Sequence, residues 1–198
     1  MNNIFFTGAP GSKWSSVVKN IYWSKDIDRS DYSDARTYYH DADTPGALQL
    51  MHIGAYWDPG MEFEPFDAAQ WAAPFSGTGR RIVKSHVFSH RLEWLKQFGL
   101  PIVMVYRNDF ECYDWWKHCG EFGITYPDYA PYYKNLTEMW KEITLQNSAI
   151  INFIKYNQQS IVRVYSNFEL CKQLDLDTQG ISTYHDYKQK DIQVYVYK

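Results

Sequence analysis

The first 23 residues constrain the fold more than any other stretch of the sequence. Residues 4–6 form an apolar run that predicts a short buried strand, and residues 13–23 carry apolar side chains at helical spacing. Between the two lies a loop that contains Gly8, Pro10 and Gly11. This order of strand, glycine loop and helix favours a phosphate or sulfate site, because the first N–H groups of a helix and the positive end of its dipole attract anions.

The side chains of this loop add to the predicted anion site. Ser12, Ser15 and Ser16 supply hydroxyl donors, and Lys13 supplies a positive charge. The spacing differs from the nucleotide motif G-x-x-x-x-G-K-[ST], since Lys13 comes one residue too early and no glycine precedes it. The sequence therefore predicts an anion site without the usual magnesium–nucleotide grip. The alternative is an ordinary strand–turn–helix corner whose glycines serve tight geometry.

The rest of the chain alternates predicted strands with predicted helices. Strands are expected at 48–53, 82–86, 102–106 and 160–165, and helices at 90–98, 109–118, 132–157 and 168–174. Residues 192–197 alternate and predict an edge strand. Asp109 and Asn167 are the predicted caps of their helices. The pattern indicates an α/β fold in a single domain over 1–198, with a mostly parallel central sheet and flanking helices in three layers.

An aromatic segment at 54–79 interrupts this alternation. Its Gly and Pro residues separate Tyr56, Trp57, Phe63, Phe66, Trp71 and Phe75. A long insertion between core elements is often a binding segment, and here it would lie on the acceptor side of a site. A hydrophobic flap that closes the edge of the core explains the same pattern equally well.

Composition narrows the class of protein. The chain has 198 residues, 45% hydrophobic, and a net charge of −3, which argues against a general nucleic-acid binder. Its three cysteines form no metal-like cluster, and no signal peptide or membrane span is seen, so we expect reduced thiols in the cytoplasm and no membrane partner. Aromatic residues make up 18% and predict either extra packing or a site for a flat ring or a sugar.

Polar residues follow the first three predicted strands of the core, where parallel strands place ligands. His86 has an unperturbed pKa near neutrality and is the candidate general base. Lys84 would share a strand face with His86, since side chains two apart point the same way. Arg107 offers a planar fork for a phosphate. The alternatives are a hydrogen-bonded histidine at a strand end and ordinary surface charges.

Four segments, taken in order, resemble sulfotransferases that use 3′-phosphoadenosine 5′-phosphosulfate. The loop G-A-P-G-S-K-W-S at 8–15 resembles their 5′-phosphosulfate loop. R-I-V-K-S-H at 81–86 resembles the segment ending K-T-H, whose His is the catalytic base. V-M-V-Y-R-N at 103–108 is similar to V-x-V-x-R-N, whose Arg binds the donor's 3′-phosphate, and V-R-V-Y-S-N-F at 162–168 is similar to a later strand ending Y-E-D-L.

The resemblance implies a P-loop NTPase-like fold and transfer of a sulfuryl group to a hydroxyl or amine of a small-molecule or carbohydrate acceptor. The phosphoadenosine donor would be the co-substrate, and no metal would be needed. The resemblance makes His86 the base, with Lys84 and Lys13 as the other catalytic residues. The donor-binding residues that it implies are Pro10, Gly11, Ser12, Lys13, Trp14, Ser15, Ser16, Arg107, Trp115 and Tyr165.

The sequence departs from the family pattern at several positions. The family's Arg or Lys in the loop falls on Gly11, its Gly falls on Lys13, and its second 3′-phosphate Ser falls on Trp115. The C-terminal R-K-G-x-x-G loop of cytosolic members is absent. Two alternatives therefore stay open. One is a P-loop kinase acting on a nucleotide or small molecule, and the other is a nucleotide-binding protein of this fold without turnover.

Overall fold

The computed structural model describes residues 2–30, 38–39, 50–52, 71, 75–118, 135–181 and 187–198. The strands are β1 (Asn3–Gly8), β2 (Tyr38–Tyr39), β3 (Leu50–His52), β4 (Arg81–Lys84), β5 (Ile102–Tyr106), β6 (Ile161–Val164) and β7 (Gln193–Tyr197). The α-helices are α1 (Trp14–Ile21), α2 (Leu92–Lys96), α3 (Asp109–His118), α4 (Leu136–Tyr156) and α5 (Asn167–Gln173). Short 3-10 segments cover His86–Arg91, Gln158–Ser160 and Tyr187–Lys190. Within these ranges no helix is long and apolar enough to cross a membrane.

The protein has an α/β fold built on one mixed sheet of five strands in the order β4-β1-β5-β7-β6. β1 pairs in parallel with both β4 and β5, whereas β7 runs antiparallel to its neighbours β5 and β6. The expectation of an edge strand at 192–197 was wrong, because β7 lies inside the sheet and β6 forms that edge. β2 and β3 form a separate antiparallel pair.

Opposite faces of the sheet are covered by different helices. Alternate residues of a strand point to opposite faces, so Ile4 and Phe6 join one core cluster while Phe5 joins another. The first cluster contains the buried apolar residues of α1 and α5, and the second contains those of α2 together with Ile150 and Phe153 of α4. Met139 and Ile143 of α4 pack in a third cluster with α3. Trp71 and Phe75 pack in the second cluster, where the Trp71 ring lies 4.9 Å from that of Phe5.

Two helices, α3 and α5, have capping residues that lie one position before the predicted ones. Ser166, not Asn167, accepts a hydrogen bond at the start of α5, from the N–H of Glu169. Asn108, which precedes α3, accepts from the N–H of Phe110. Both corrections follow from runs of two capping residues, because either member can accept the first amide of a helix.

The helix predicted at 132–157 begins later than expected, and the set of residues that it buries differs in part from the predicted one. α4 begins after Asn135, whose side chain accepts from Thr137 and Glu138. The apolar spacing of the segment predicts a buried stripe of Leu136, Met139, Trp140, Ile143, Ile150 and Ile154. Met139, Ile143 and Ile150 are buried as predicted, whereas Leu136 and Trp140 are 37% and 41% exposed. Gln146, Asn147 and Phe153 are the further buried residues of this helix.

Some sequence predictions fall outside the described residues. Of the aromatic segment at 54–79, the structure describes Trp71 and residues 75–79 alone. The predicted role of this segment on the acceptor side of the site therefore stays a prediction.

Candidate functional site

The glycine loop connects the end of β1 to the start of α1, as the sequence predicts. Lys13 is the residue directly before the helix, and its own backbone is left-handed, with φ 62°. The Ser12 amide donates to the carbonyl of Ala9, and the Ser16 amide donates to that of Lys13. The hydroxyl of Ser12 is fully buried and has no hydrogen-bond partner among the described residues. A buried hydroxyl of this kind beside the first amides of a helix suits an anionic oxygen as its partner.

Gly11 is a glycine because α3 approaches it closely. Its φ is +77°, a conformation that side chains of L-residues rarely adopt. A Cβ added at Gly11 would lie 2.7 Å from the carbonyl carbon of Cys112. The position that holds a charged residue in the sulfotransferase pattern is therefore used here to let the loop touch α3.

Arg107 ties the loop, the end of β5 and α3 together. Arg107 is 5% exposed, and its Nη1 donates to the carbonyls of Gly11, at 3.1 Å, and Glu111, at 2.7 Å. Nη2 forms an ion pair of 3.2 Å with the carboxylate of Glu111. This carboxylate is half-exposed, so an anionic ligand can replace it as the partner of Nη2.

His86 does not lie on a strand. β4 ends at Lys84, Ser85 accepts the amide of Val87, and His86 begins the 3-10 segment. The predicted strand at 82–86 is thus too long at its C-terminal end, and the argument that Lys84 and His86 share a strand face does not hold. Both side chains nevertheless contact the same residue, Trp14.

The hydrogen bonds of His86 define its tautomer. The carbonyl of Gly8 only accepts, so Nδ1 of His86 carries the hydrogen and donates to it. The indole of Trp14 only donates, so Nε2 accepts from its Nε1 at 3.3 Å. Burial, together with the positive charge of Lys84, lowers the pKa of His86 to about 3, against the opposing effect of the Gly8 carbonyl. His86 is therefore a neutral imidazole near pH 7.

Two tryptophan rings contact the cationic side chains at this edge of the sheet. The Lys84 ammonium is fully buried, with Nζ 4.0 Å from the ring centre of Trp14. Lys13 Nζ lies 4.7 Å from the ring centre of Trp115, and Cζ of Arg107 lies 6.0 Å from the same centre. Cation–π contacts at these distances favour keeping positive charge at the site.

Tyr165 is the predicted donor-binding residue that the structure leaves apart from the loop. It follows the edge strand β6, and β5 and β7 separate that strand from β1. Tyr165 is 54% exposed, and its ring centre lies 5.2 Å from the guanidinium carbon of Arg163. Pro10, Ser15 and Ser16 lie in the loop and the first turn of α1, as predicted.

Sequence reasoning missed two residues that support the site. Glu111 holds Arg107, and the spacing of four residues on one helix was the available signal. Asn147 of α4 is buried and donates to the carbonyl of Arg107 at 2.8 Å and to Asp109 at 2.6 Å. It fixes the end of β5 against α3, a contact that no local pattern indicates.

The Cys112 thiol, next to the site, is not available as a nucleophile. Burial raises its pKa to about 12, so the reactive thiolate is absent near pH 7. Among the described residues, no three His, Cys, Asp or Glu side chains are placed to hold a metal ion.

We expect His86 to make stability depend on pH. Its pKa of about 3 in the folded protein lies below the unfolded value of about 6.5, so the unfolded chain takes up the proton first as pH falls. Stability that is present above about pH 6.5 is therefore lost towards pH 3, with a slope of up to about 1.4 kcal/mol per pH unit. Urea unfolding at several pH values, in wild type and His86→Asn, measures this contribution. Parallel pH profiles of the two proteins would contradict it.

Comparisons of this chain with protein-family models, with curated proteins and with solved structures find no match in any of the three.

Proposed function

We propose that this protein is a cytoplasmic sulfotransferase that moves a sulfuryl group from 3′-phosphoadenosine 5′-phosphosulfate to a hydroxyl or amine. The observation that carries the proposal is the meeting of three elements at one edge of the sheet. The loop after β1, Lys84 at the end of β4 and Arg107 after β5 surround the start of α1. Three cationic side chains and one buried hydroxyl suit a ligand with several anionic groups. A three-layer, P-loop NTPase-like arrangement belongs to the same proposal.

Each residue has a place in the proposed reaction. The acceptor oxygen or nitrogen forms a bond to sulfur while the bond from sulfur to the 5′-phosphate oxygen breaks, which leaves 3′,5′-adenosine diphosphate. The amides at the start of α1, Ser12 and Lys13 bind the leaving phosphate. Lys84 stabilises charge on the transferring group, and the acceptor's proton passes to Nε2 of His86. Arg107 binds the 3′-phosphate.

A nucleotide-binding protein without turnover is the second candidate. The specific observation in its favour is that both ring nitrogens of His86 already have partners, Gly8 and Trp14. Under this proposal the nucleotide still binds at the loop and Arg107, but no group is transferred. Wild-type transfer activity separates the two candidates.

We expect binding to depend on the 3′-phosphate and on Arg107. Calorimetric titration of the wild type should give tighter binding of 3′,5′-adenosine diphosphate than of AMP or of ATP with magnesium. Arg107→Lys should lower the affinity for 3′,5′-adenosine diphosphate by roughly 10–100-fold, which is what the loss of one charged hydrogen bond corresponds to. The affinity for AMP should change little. Lysine keeps the charge but loses the planar fork.

Glu111→Gln is the matched control for this titration. It removes the negative charge that holds Nη2 of Arg107 and leaves the fork in place. We expect it to tighten binding of the bisphosphate, the opposite of Arg107→Lys. Equal losses for AMP and the bisphosphate in Arg107→Lys would remove Arg107 as the ligand of the 3′-phosphate. Stronger binding of ATP with a need for magnesium would favour a kinase.

A further inference from the structure

Trp14 contacts Lys84 and His86, the two side chains near the end of β4 that take part in the proposed transfer. Its indole N–H donates to Nε2 of His86, and the two ring centres lie 4.7 Å apart at an interplanar angle of 70°. Its ring face holds the Lys84 ammonium at 4.0 Å. Trp14 is 3% exposed and packs in the core cluster of α1 and β1, which fixes the ring in place.

The contact with His86 involves the nitrogen that has to act as the base. Nδ1 donates its hydrogen to Gly8, so only Nε2 has a lone pair for a proton. In the structure, the indole N–H of Trp14 is directed at this lone pair. An acceptor whose proton is to move to Nε2 therefore has to take the place of the indole N–H.

We propose that Trp14 is a positioning residue whose indole N–H holds Nε2 of His86 until an acceptor N–H or O–H replaces it, and whose ring face holds the Lys84 ammonium. This inference rests on the proposed function. The group that replaces the indole N–H must itself be a hydrogen-bond donor. Phenols, alcohols and primary amines meet this condition, whereas an ether or a tertiary amine does not.

Two substitutions of Trp14 separate its two contacts. Trp14→Phe keeps a ring face for Lys84 and removes the N–H, while Trp14→Leu removes both. Trp71→Phe is the matched control, because Trp71 is 1% exposed and packs in the other core cluster. The readout is the ¹⁵N chemical shift of the His86 side chain in the folded 198-residue chain.

We expect Trp14→Phe to move the Nε2 resonance of His86 downfield, since the lone pair loses a donor, and Trp71→Phe to leave it in place. The acceptor KM of Trp14→Phe should fall roughly two- to tenfold, because no indole competes for Nε2. Trp14→Leu should lower kcat because Lys84 also loses its support. An unchanged Nε2 shift or a raised KM in Trp14→Phe would overturn the proposal.

A second measurement needs no substitution and keeps the inference testable if a variant fails to fold. The wild type should show a coupling between Nε1 of Trp14 and Nε2 of His86 across their hydrogen bond, and the lack of this coupling would reject the contact. A wild type without any transfer would reject the proposed function and the replacement step with it. The coupling and the chemical shift then decide the contact of Trp14 with His86 alone.

Discussion

Gly11→Ala is expected to lower the free energy of unfolding by roughly 2–5 kcal/mol. About 1–2 kcal/mol comes from the left-handed backbone, which an alanine adopts at a cost. About 1–3 kcal/mol more comes from overlap of the new methyl group with the Cys112 carbonyl of α3. Urea unfolding measures the loss as a lower midpoint at constant slope.

Gly180→Ala is the matched control for this loss. Gly180 has φ +80°, close to that of Gly11, but an added Cβ would meet nothing within 4 Å. Its substitution should therefore cost the backbone part alone. Equal losses at Gly11 and Gly180 would contradict the close approach of α3 to the loop. Arg107 and Trp115 contact the loop at Gly11 and Lys13, where α3 approaches it. We therefore also expect nucleotide affinity to fall in Gly11→Ala and not in Gly180→Ala.

The largest effect on rate is expected for His86→Asn. General-base help is typically worth ~10²–10⁴ in rate, and asparagine keeps hydrogen-bonding groups but cannot accept the proton. Formation of 3′,5′-adenosine diphosphate from the donor should fall by that factor. Nucleotide affinity should stay near wild type, because no proposed donor contact involves His86.

A purely structural His86 would give another pattern in the same experiment. Its ring joins Gly8, in the loop, to Trp14, in α1, so its loss would then lower the melting temperature and the nucleotide affinity together. Calorimetric binding and thermal unfolding of His86→Asn are therefore measured beside the rate. Full transfer by the variant would remove His86 from the mechanism.

Much of the sheet could be predicted from the sequence because its strands carry distinct patterns. The apolar run at 102–106 corresponds to β5 without any shift, as expected for a strand covered on both faces. β7 could not be placed from its pattern. Val194 and Val196 are buried, while Tyr195 and Tyr197 are partly buried against the other core cluster. In the sequence, tyrosines at alternate positions give the same pattern as the polar face of an edge strand, although here they are partly buried.

The candidate site could be predicted in its main groups but not in its contacts. The ends of β1, β4 and β5 are polar, and parallel pairing brings them together as expected. Which side chain holds which depends on tertiary distances. The sequence gives no sign that Trp14 lies between Lys84 and His86, or that Asn147 reaches the end of β5 from α4.

The most direct test of the account is a transfer assay of the wild-type protein with the phosphoadenosine donor. The acceptors are a panel of phenols, sugars and amines, and the assay follows both 3′,5′-adenosine diphosphate and the sulfated product. We predict that the two products form in equal amounts with at least one acceptor. Tight binding of 3′,5′-adenosine diphosphate without any transfer across the panel would contradict the sulfotransferase proposal and leave a nucleotide-binding protein.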